Sequence, residues 1–352
     1  MAISVSLAQD EDQDKWERFR RAAKLKHHAH QWMWRTILEQ TFGHKPYYFI
    51  AYEPVGEVVG IVPMFLVRSL IFGKALISVP YLNGGGIVAN SEEARQALAA
   101  ECQSLGESIG ARYIELRERS ELPVTESTWT VRSHKVAMLL PLFSDPQQMF
   151  ESFPGKLRSQ IRRPAKDGMH AEFSQTATDR ERLLNAFYSV FTKNMRDLGT
   201  PVYPKRLFDQ VMRSGSAQVR VFVVWQGNEP AAAAITIMEN DVVEIPWASS
   251  LKRFSRSSPN MLLYWEAIKT ACSDGAKLFD FGRCSSDSGP YRFKLQWGAI
   301  PHPLFWYYQV FSGSVPDVNP QSSKFSTLVE CWKHLPLPVA NTVGPWLTRS
   351  LP

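Results

Sequence analysis

Residues 219–250, VRVFVVWQGNEPAAAAITIMENDVVEIPWASS, form the stretch that decides the fold. Three apolar runs rich in β-branched and aromatic residues alternate with polar turns, a pattern typical of a strand meander. The segment SPNMLLYWEAIKTACSDG at 258–275 has apolar residues at helical spacing, and Ser258 and Pro259 stand where a helix cap and first turn are expected. The run KLFDFGR at 277–283 predicts a further strand. This order of elements predicts an α/β module with a mixed sheet.

The first half of the chain has the same order of elements. Residues 11–42 predict two amphipathic helices, residues 47–69 a strand hairpin, and residues 91–110 a helix that begins at Ser91 and ends at Gly110. Strands are predicted on both sides of that last helix, so the whole pattern indicates an internal duplication. The predicted boundaries are 1–145 for an N-terminal module, 146–312 for a C-terminal module, and 313–352 for a linker and tail helices that pack on the second module.

The composition indicates a globular protein that needs neither disulfides nor metals to fold, with 44% hydrophobic and 21% charged residues in a chain of 352. The net charge of +6 suits an anionic substrate such as a nucleotide sugar, coenzyme A, tRNA or a lipid phosphate, but not a dedicated DNA-binding protein. The four cysteines contain no CxxC pair, which predicts reduced thiols. Neither a signal peptide nor a long apolar run is visible, so the expected location is the cytoplasm.

The segment PGKLRSQIRRPAKDG at 154–168 is strongly basic. A helix places Arg158 and Arg162 on one face, and Lys166 follows one turn later if the helix continues through Pro164. Such a cluster binds a diphosphate or phosphodiester through charge-assisted hydrogen bonds. A solvated basic face is the alternative. The candidate substrate-binding residues here are Lys156, Arg158, Arg162 and Arg163.

A second candidate segment is FDFGRCSSDSGPYRFKLQWGA at 279–299. A predicted strand leads into a loop rich in glycine and serine and then into an aromatic and basic run. Polar groups after the end of a strand are where α/β folds place ligands. Lys294 is therefore a candidate for stabilising the oxyanion that forms when an amine attacks an ester carbonyl. The alternative is a lysine that forms a salt bridge within a loop.

Two other segments carry weaker signals. The glycines of LNGGGIVA at 82–89 allow a ligand to approach the backbone, or they form only a turn; no phosphate-loop GK[ST] follows. The histidines at 27, 28 and 30 lack a carboxylate or cysteine at metal-ligand spacing, so packing and capping roles are expected and no metal site is predicted. His30 remains a candidate substrate-binding residue.

These motifs resemble the FemAB-type transferases, and within them the branch associated with PEP-CTERM/exosortase exopolysaccharide systems. The resemblance implies two tandem modules of the acetyltransferase (GNAT) fold, and transfer of an aminoacyl or acyl group to an amine of a cell-envelope or exopolysaccharide precursor. The matching stretches are HQWMW at 30–34, FGHKPYYFIA at 42–51, GIVPMFLVRSLIFGKALISVPYLNGGG at 60–86, KLRSQIRRPAKDG at 156–168 and GRCSSDSGPYRFKLQWGA at 282–299.

The resemblance also implies roles for particular residues. In peptidoglycan-bridge members of the family the donor is an aminoacyl-tRNA, and a Phe-Lys pair lies at the reaction centre; Phe293 and Lys294 match that pair. The basic helix over 156–163 is expected at the substrate cleft. Apart from the resemblance, Tyr291 is a further catalytic candidate. The candidates for the general base are Asp280, Glu244 and Tyr291, and the alternative is that a phosphate of the substrate takes the proton. The other candidate substrate-binding residues are Arg283, Trp297 and Trp247.

The acyl donor remains open between acyl-CoA and aminoacyl-tRNA, and no tightly bound cofactor is expected. Relatives that use acetyl-CoA have a [RQ]xxGx[GA] loop, whose backbone N–H groups hold the pyrophosphate at a helix N-terminus. The corresponding junction here, LKRFSRSSPNMLLYWEAI at 251–268, has no glycine. The candidate donor-phosphate contacts in it are Arg253, Arg256, Ser257 and Ser258.

Two alternatives to aminoacyl transfer remain: a CoA-dependent N-acyltransferase acting on an amino sugar, and a non-catalytic adaptor of polysaccharide export machinery. Peripheral association with the inner face of the cytoplasmic membrane also remains open. The tail PVANTVGPWLTRSL at 338–351 has too few basic residues for strong attraction to lipid, so it is expected to pack on the second module.

Overall fold

The computed structural model describes residues 3–25, 27–69, 73–122, 129–214, 219–315 and 323–351. It divides the chain into two compact units. The first consists of Met1–Val136, Pro303–Asn319 and Arg349–Pro352, and the second of Ala137–His302 and Pro320–Thr348. Residues 303–312, predicted to end the second module, therefore lie in the first unit instead.

The elements of the first unit follow the predicted order, with one additional strand at the N-terminus. Its α3 begins as predicted, because Ser91 Oγ accepts a hydrogen bond from Ala94 N at 3.2 Å. The elements are β1 (Ser4–Leu7), α1 (Gln13–Ala22), α2 (Met33–Phe42), β2 (Lys45–Tyr52), β3 (Val58–Ser69), β4 (Gly73–Ser78), β5 (Val88–Ala89), α3 (Glu92–Ser108), β6 (Tyr113–Glu118) and the first part of β7 (Trp129–Pro141).

The sheet of the first unit is mostly antiparallel. Its strands pair in the order β1-β2-β3-β4-β6, and β5 pairs with β3. The exception is β4 with β6, which are parallel from Ala75↔Tyr113 to Ile77↔Glu115 because α3 crosses over between them. Residues 305–310 pair antiparallel with β6. This ladder is the physical reason that the segment belongs to the first unit.

The glycine run at 84–86 is buried inside the first unit. A Cβ added to Gly86 would overlap the carboxyl group of Glu118, so glycine is required for this close approach. The Glu118 carboxyl accepts a hydrogen bond from Ile87 N at 2.7 Å, and His30 Nε2 lies 2.7 Å from Gly86 O. Burial lowers the pKa of His30 to about 4, so a neutral imidazole donates to that carbonyl.

The second unit contains the predicted meander. Its α5 continues through Pro164, whose ring is buried. The elements are the end of β7, α4 (Pro146–Ser152), α5 (Gly155–Lys166), β8 (Met169–Phe173), α6 (Ala177–Leu198), α7 (Lys205–Arg213), β9 (Val219–Gln226), β10 (Glu229–Glu239), β11 (Val242–Ser250), α8 (Pro259–Ser273), β12 (Leu278–Ser285), α9 (Gly289–Leu295), the start of β13 (Ile300–Val310), α10 (Ser323–Lys333) and α11 (Leu337–Thr348).

The sheet of the second unit combines antiparallel and parallel pairs. Strands β8, β9, β10 and β11 are antiparallel neighbours, and β12 joins β11 in parallel because α8 crosses over between them. The parallel register runs from Val242↔Leu278 to Glu244↔Asp280. Helices α6 and α8 both pack on this sheet. Large side chains that are fully buried in this core include Phe187, Phe208, Phe222 and Phe279.

The two tail helices contact the α6 region of the second unit. Arg196 Nη1 donates to Leu335 O at 3.0 Å, and Thr348 Oγ1 donates to Val202 O at 3.4 Å. A Cβ added to Gly344 would lie 2.8 Å from Val202 N, so α11 approaches this backbone closely. The predicted linker ahead of these helices falls largely on residues 316–322, outside the described residues.

Glu118 is expected to make the stability of the first unit depend on pH. Burial raises the pKa of Glu118 from 4.5 to about 7. Between these values the folded state keeps a proton that the unfolded state has released, so stability is lost as the pH rises through 7. In denaturant unfolding, the free energy of unfolding of the wild type should therefore fall relative to that of Glu118→Gln as the pH rises. The expected relative change between about pH 5.5 and about pH 8 is about 2 kcal/mol.

The exposed variant Glu93→Gln serves as the control and should follow the wild-type pH profile. Glutamine at 118 still offers an oxygen to Ile87 N but cannot ionise, so the comparison isolates the proton. If the free energy of unfolding changes with pH in the same way for the wild type and for Glu118→Gln, the pKa of Glu118 is not raised in the folded state.

Candidate active site

The segment at 279–299 contains the predicted strand and turn, and the aromatic and basic run that follows the turn forms a short helix. Ser288 caps α9: its Oγ accepts a hydrogen bond from Tyr291 N at 3.2 Å, and proline lies in the first turn. The sequence S-G-P-Y carries this signal, since serine is a preferred N-cap and proline a preferred first-turn residue. Phe293 on this helix and Trp297, which follows the helix, both lie against the ring of Tyr264, at centroid distances of 5.0 and 6.4 Å.

Lys294 points into the interior of the second unit and is only 6% exposed. Its Nζ donates to Gly282 O at 2.8 Å and to Arg283 O at 3.1 Å. Gly282 has φ +72°, a conformation that favours glycine. An ammonium group has three N–H donors, so two bonds to carbonyls leave one for a bound molecule.

Burial lowers the pKa of Lys294, while Cys284, Asp280 and Glu244 act in the opposite direction. The two carboxylate residues form the last registered pair of the parallel β11–β12 ladder. Asp280 Oδ1 also accepts a hydrogen bond from Gly282 N at 2.8 Å. The ammonium therefore lies where parallel pairing ends, which is where open α/β sheets bind ligands.

Phe153 connects the two candidate segments. Its ring packs edge-on against Trp297, with 5.5 Å between centroids, and against Trp265 at 6.1 Å. Because Phe153 directly precedes the proline that leads into α5, the start of α5 lies beside α9. Trp297 is 1% exposed, and its Nε1 has no hydrogen-bond partner within the part of the chain that the structure describes. The structure thus brings 154–168 and 279–299 together.

Helix α5 has one buried face and one basic face. The buried side chains are Leu157, Ile161 and Pro164. The Arg162 guanidinium lies 4.9 Å from the centre of the Phe150 ring. Arg158 is half-buried, and among the described residues its Nε has no hydrogen-bond partner. The exposed basic residues are Lys156, Arg162, Arg163 and Lys166. This face is available to an anion.

The start of α8 also carries candidate anion ligands. A 3-10 helix, Lys252–Ser257, leads into Ser258, which occupies the predicted N-cap position, with Pro259 in the first turn of α8. Ser258 has φ +55°, and its side chain makes no capping hydrogen bond. The first N–H groups of α8 thus lack a side-chain cap, and Arg256 is exposed nearby in the chain. Arg253 forms an ion pair with Glu229 instead.

A polar contact links the first turn of α8 to the residue that follows α9. Gln296 Nε2 lies 3.8 Å from Met261 Sδ in the first turn of α8. The candidate donor-phosphate residues at 256–258 are therefore joined, through the body of the second unit, to the helix that carries Lys294.

The remaining candidates occupy different surroundings. Trp247 is 6% exposed and packs edge-on against Phe208 of α7 at 5.2 Å, so it is a core residue. His30 lies in the first unit on the glycine run. Arg283 has an exposed side chain, and its carbonyl accepts from Lys294. Tyr291 is half-buried on α9.

Residues 154–295 match the family model of the acetyltransferase (GNAT) domain. The match extends from the start of α5 to the end of α9 and includes Lys294. A curated relative, the UDP-N-acetylmuramoylpentapeptide-lysine N(6)-alanyltransferase of Weissella viridescens, is 24% identical over 157 residues, which are 44% of this chain and 45% of the relative. The alignment thus spans less than half the length of that protein.

Several solved structures share the fold. FemX aligns with a TM-score of 0.64 and 15% identity, over 88% of this chain and 97% of FemX. L-PGS from Bacillus licheniformis aligns with a TM-score of 0.57 and 12% identity, over 98% of each chain. A tandem GNAT protein of the clavulanic acid biosynthesis pathway aligns with a TM-score of 0.56 and 12% identity, over 89% of this chain and 100% of that protein. The chain therefore has the predicted mixed α/β fold of two GNAT-type modules.

Two negative findings apply to the described residues. Among them, no helix is both long and apolar enough to cross a membrane. Across the same parts of the chain, no group of three or more histidine, cysteine, aspartate or glutamate side chains is placed to hold a metal ion.

The link between α5 and α9 can be tested through Phe153. Phe153→Ala removes a ring that is 4% exposed, and it should lower the free energy of unfolding by about 3 kcal/mol because a cavity remains. Phe143→Ala is the matched control, since that ring is 47% exposed; its cost should stay below about 1 kcal/mol. The free energies of unfolding would be measured in urea. If Phe153→Ala and Phe143→Ala lower them equally, the Phe153 ring does not support the site.

Proposed function

We propose that the protein is an acyltransferase that joins an activated aminoacyl or acyl group to an amine of a cell-envelope or exopolysaccharide precursor. The observation that carries this proposal is the buried Lys294 ammonium, which keeps one N–H donor free of the carbonyls that hold it. Burying an ammonium costs free energy, and a non-catalytic adaptor would gain nothing from it. The match to an acetyltransferase model over 154–295 supports the same reaction class.

In the proposed reaction the acceptor nitrogen attacks the carbonyl carbon of the donor ester or thioester. A C–N bond forms, the bond to the leaving oxygen or sulfur breaks, and the proton of the amine passes to a base. Lys294 donates its remaining N–H to the oxyanion, and the ring of Phe293 limits access of water beside it. The candidates for taking the proton are Tyr291, Asp280 and Glu244.

The donor that we favour is an aminoacyl-tRNA. The exposed cations of α5 form a row that suits an extended polyanion, and Arg158 adds an unpartnered Nε beside them. The turn before α8 contains no glycine, so its backbone is poorly suited to wrap the pyrophosphate of coenzyme A.

The acceptor is proposed to be a primary amine. The Weissella relative is named as an alanyltransferase that acts on the N6 of a lysine in a UDP-N-acetylmuramoylpentapeptide, and this supports the amine chemistry. By its resemblance to the exosortase-associated branch, the precursor would belong to an exopolysaccharide system. A cytoplasmic location, with peripheral association at the inner face of the membrane, belongs to the same proposal.

A second candidate is a CoA-dependent N-acyltransferase that acts on an amino sugar. The first turn of α8 lacks a side-chain cap, and such helix N-termini bind phosphate. The acetyltransferase model and the tandem GNAT neighbour favour the same donor. Donor binding separates the two candidates.

Replacing Lys294 tests the catalytic proposal. Lys294→Met should lower kcat by about 100-fold or more, as removal of a single oxyanion donor does in other enzymes. Lys277→Met is the control, because the Lys277 side chain is 78% exposed. Turnover would be followed with aminoacyl-tRNA and an amine acceptor, with circular dichroism to verify folding. Folded Lys294→Met with wild-type turnover would refute the role.

The donor can be identified by thermal stabilisation of the protein. Aminoacyl-tRNA should raise Tm, and the double variant Arg162→Gln/Lys166→Gln should weaken its binding and reduce the salt slope by about 2. The matched control is Lys269→Gln/Lys277→Gln, which removes two exposed charges elsewhere in the second unit. Stabilisation by acyl-CoA but not by tRNA would replace this proposal with the CoA-dependent alternative.

A further inference from the structure

The second unit contains a cavity of about 200 Å³ between the C-terminal half of α8 and the sheet. Helix α8 contributes Ala267, Thr270 and Ala271 to its wall, and the strands contribute Phe222 and Val243, among others. Apolar cavities of about 150 Å³ in proteins are large enough to bind benzene. The space therefore suits a small organic molecule with an apolar part.

The sequence of α8 explains why the space exists. Positions 267, 270 and 271 are three and four residues apart, so they share one face of the helix. All three side chains are small, whereas the preceding turns carry Leu263 and Tyr264. The large side chains in the first half of α8 therefore fill the space beside the helix, whereas the small side chains in its second half leave a gap between the helix and the sheet. Thr236, which is 3% exposed, adds a hydroxyl to the opposite wall.

A charged pair stands at the mouth of this cavity. Arg220 on β9 and Asp274 at the end of α8 form an ion pair, with Arg220 Nη2 to Asp274 Oδ1 at 3.2 Å. Their side chains are 29% and 30% exposed, so a ligand can reach both charges. Both residues line the cavity together with the apolar wall.

The charges select the chemical class of ligand. A carboxylate alone would pair with Arg220 but meet repulsion from Asp274, and an amine alone would meet the reverse. A zwitterion satisfies both, because its carboxylate bonds to the guanidinium and its ammonium to the carboxylate. An aliphatic side chain on the same molecule would enter the apolar space beyond the pair.

We propose that this cavity is a binding site for a free α-amino acid with an aliphatic side chain. The site goes beyond the proposed function, since a free amino acid is neither the activated donor nor the precursor. It lies at the opposite end of α8 from Ser258, and the 15 residues of this helix span roughly 22 Å. Lys294 and the residues whose carbonyl groups hold it, Gly282 and Arg283, do not line the cavity, so a ligand here does not occupy the place of the reacting groups.

The experiment is a calorimetric titration of the full chain with leucine and two analogues. Leucine should bind, whereas leucinamide, which lacks the carboxylate, and N-acetylleucine, which lacks the ammonium, should each bind about tenfold more weakly or worse, because one charge-assisted bond is lost. These analogues also distinguish a free amino acid from the end of a peptide, which presents only one of the two charges.

Variants locate the binding. Ala271→Leu fills the cavity and Arg220→Gln removes the guanidinium, so each should abolish or strongly weaken leucine binding. Arg182→Gln is the matched control, because it breaks another ion pair of the second unit, with Glu172 at 2.9 Å. Lys294→Met should bind leucine as the wild type does, which keeps this test independent of the reaction.

Three results would overturn the proposal: no leucine binding at millimolar concentration, equal binding of leucinamide, or wild-type affinity in Arg220→Gln. If Ala271→Leu does not fold, the rim variant Arg220→Gln and the two analogues still decide the question.

Discussion

The parallel pairing of β11 with β12 constrains the surroundings of Lys294. A parallel pair needs a crossover, and α8 supplies it. The registered ladder ends at Glu244 and Asp280, and beyond it the left-handed turn at Gly282 presents two successive carbonyls to one ammonium. Carbonyl dipoles stabilise that ammonium without cancelling its charge, so it can still act on a negative ligand.

The first unit also has a parallel strand pair joined by a crossover helix, but a different side chain occupies the end of its ladder. Its parallel ladder of β4 and β6 ends at Glu115. Two residues later stands Arg117, where β12 has Gly282. The guanidinium of Arg117 donates to Glu115 at 2.6 Å and to Leu82 O at 3.0 Å, and it lies 4.6 Å from the centre of the Trp306 ring. One module thus closes its strand end with its own ion pair, while the other leaves room for a lysine from the next helix.

Some features of this fold are encoded in local sequence, and others are not. Periodicity and turn residues predict the meander and the crossover helices, because these depend on neighbours in the chain. The seven residues of α9 are too few for a helical period to stand out. The contact of Phe153 with Trp297 and the ladder of residues 305–310 on β6 join distant parts of the chain. No local pattern encodes them. A motif in the sequence indicates Lys294, but its carbonyl partners depend on φ at Gly282.

Helix α8 connects the two ends of the second unit mechanically. Near its start, Tyr264 packs against Phe293, the neighbour of Lys294, at 5.0 Å. Near its end, Ala267 and Ala271 leave the cavity open. A helix is stiff along its axis, so a shift at the cavity reaches the Tyr264 ring only as a movement of the whole element. A ligand in the cavity can therefore influence the surroundings of Lys294 only if it binds more tightly to one placement of α8 than to another. The size of that difference in affinity limits the coupling between the cavity and Lys294.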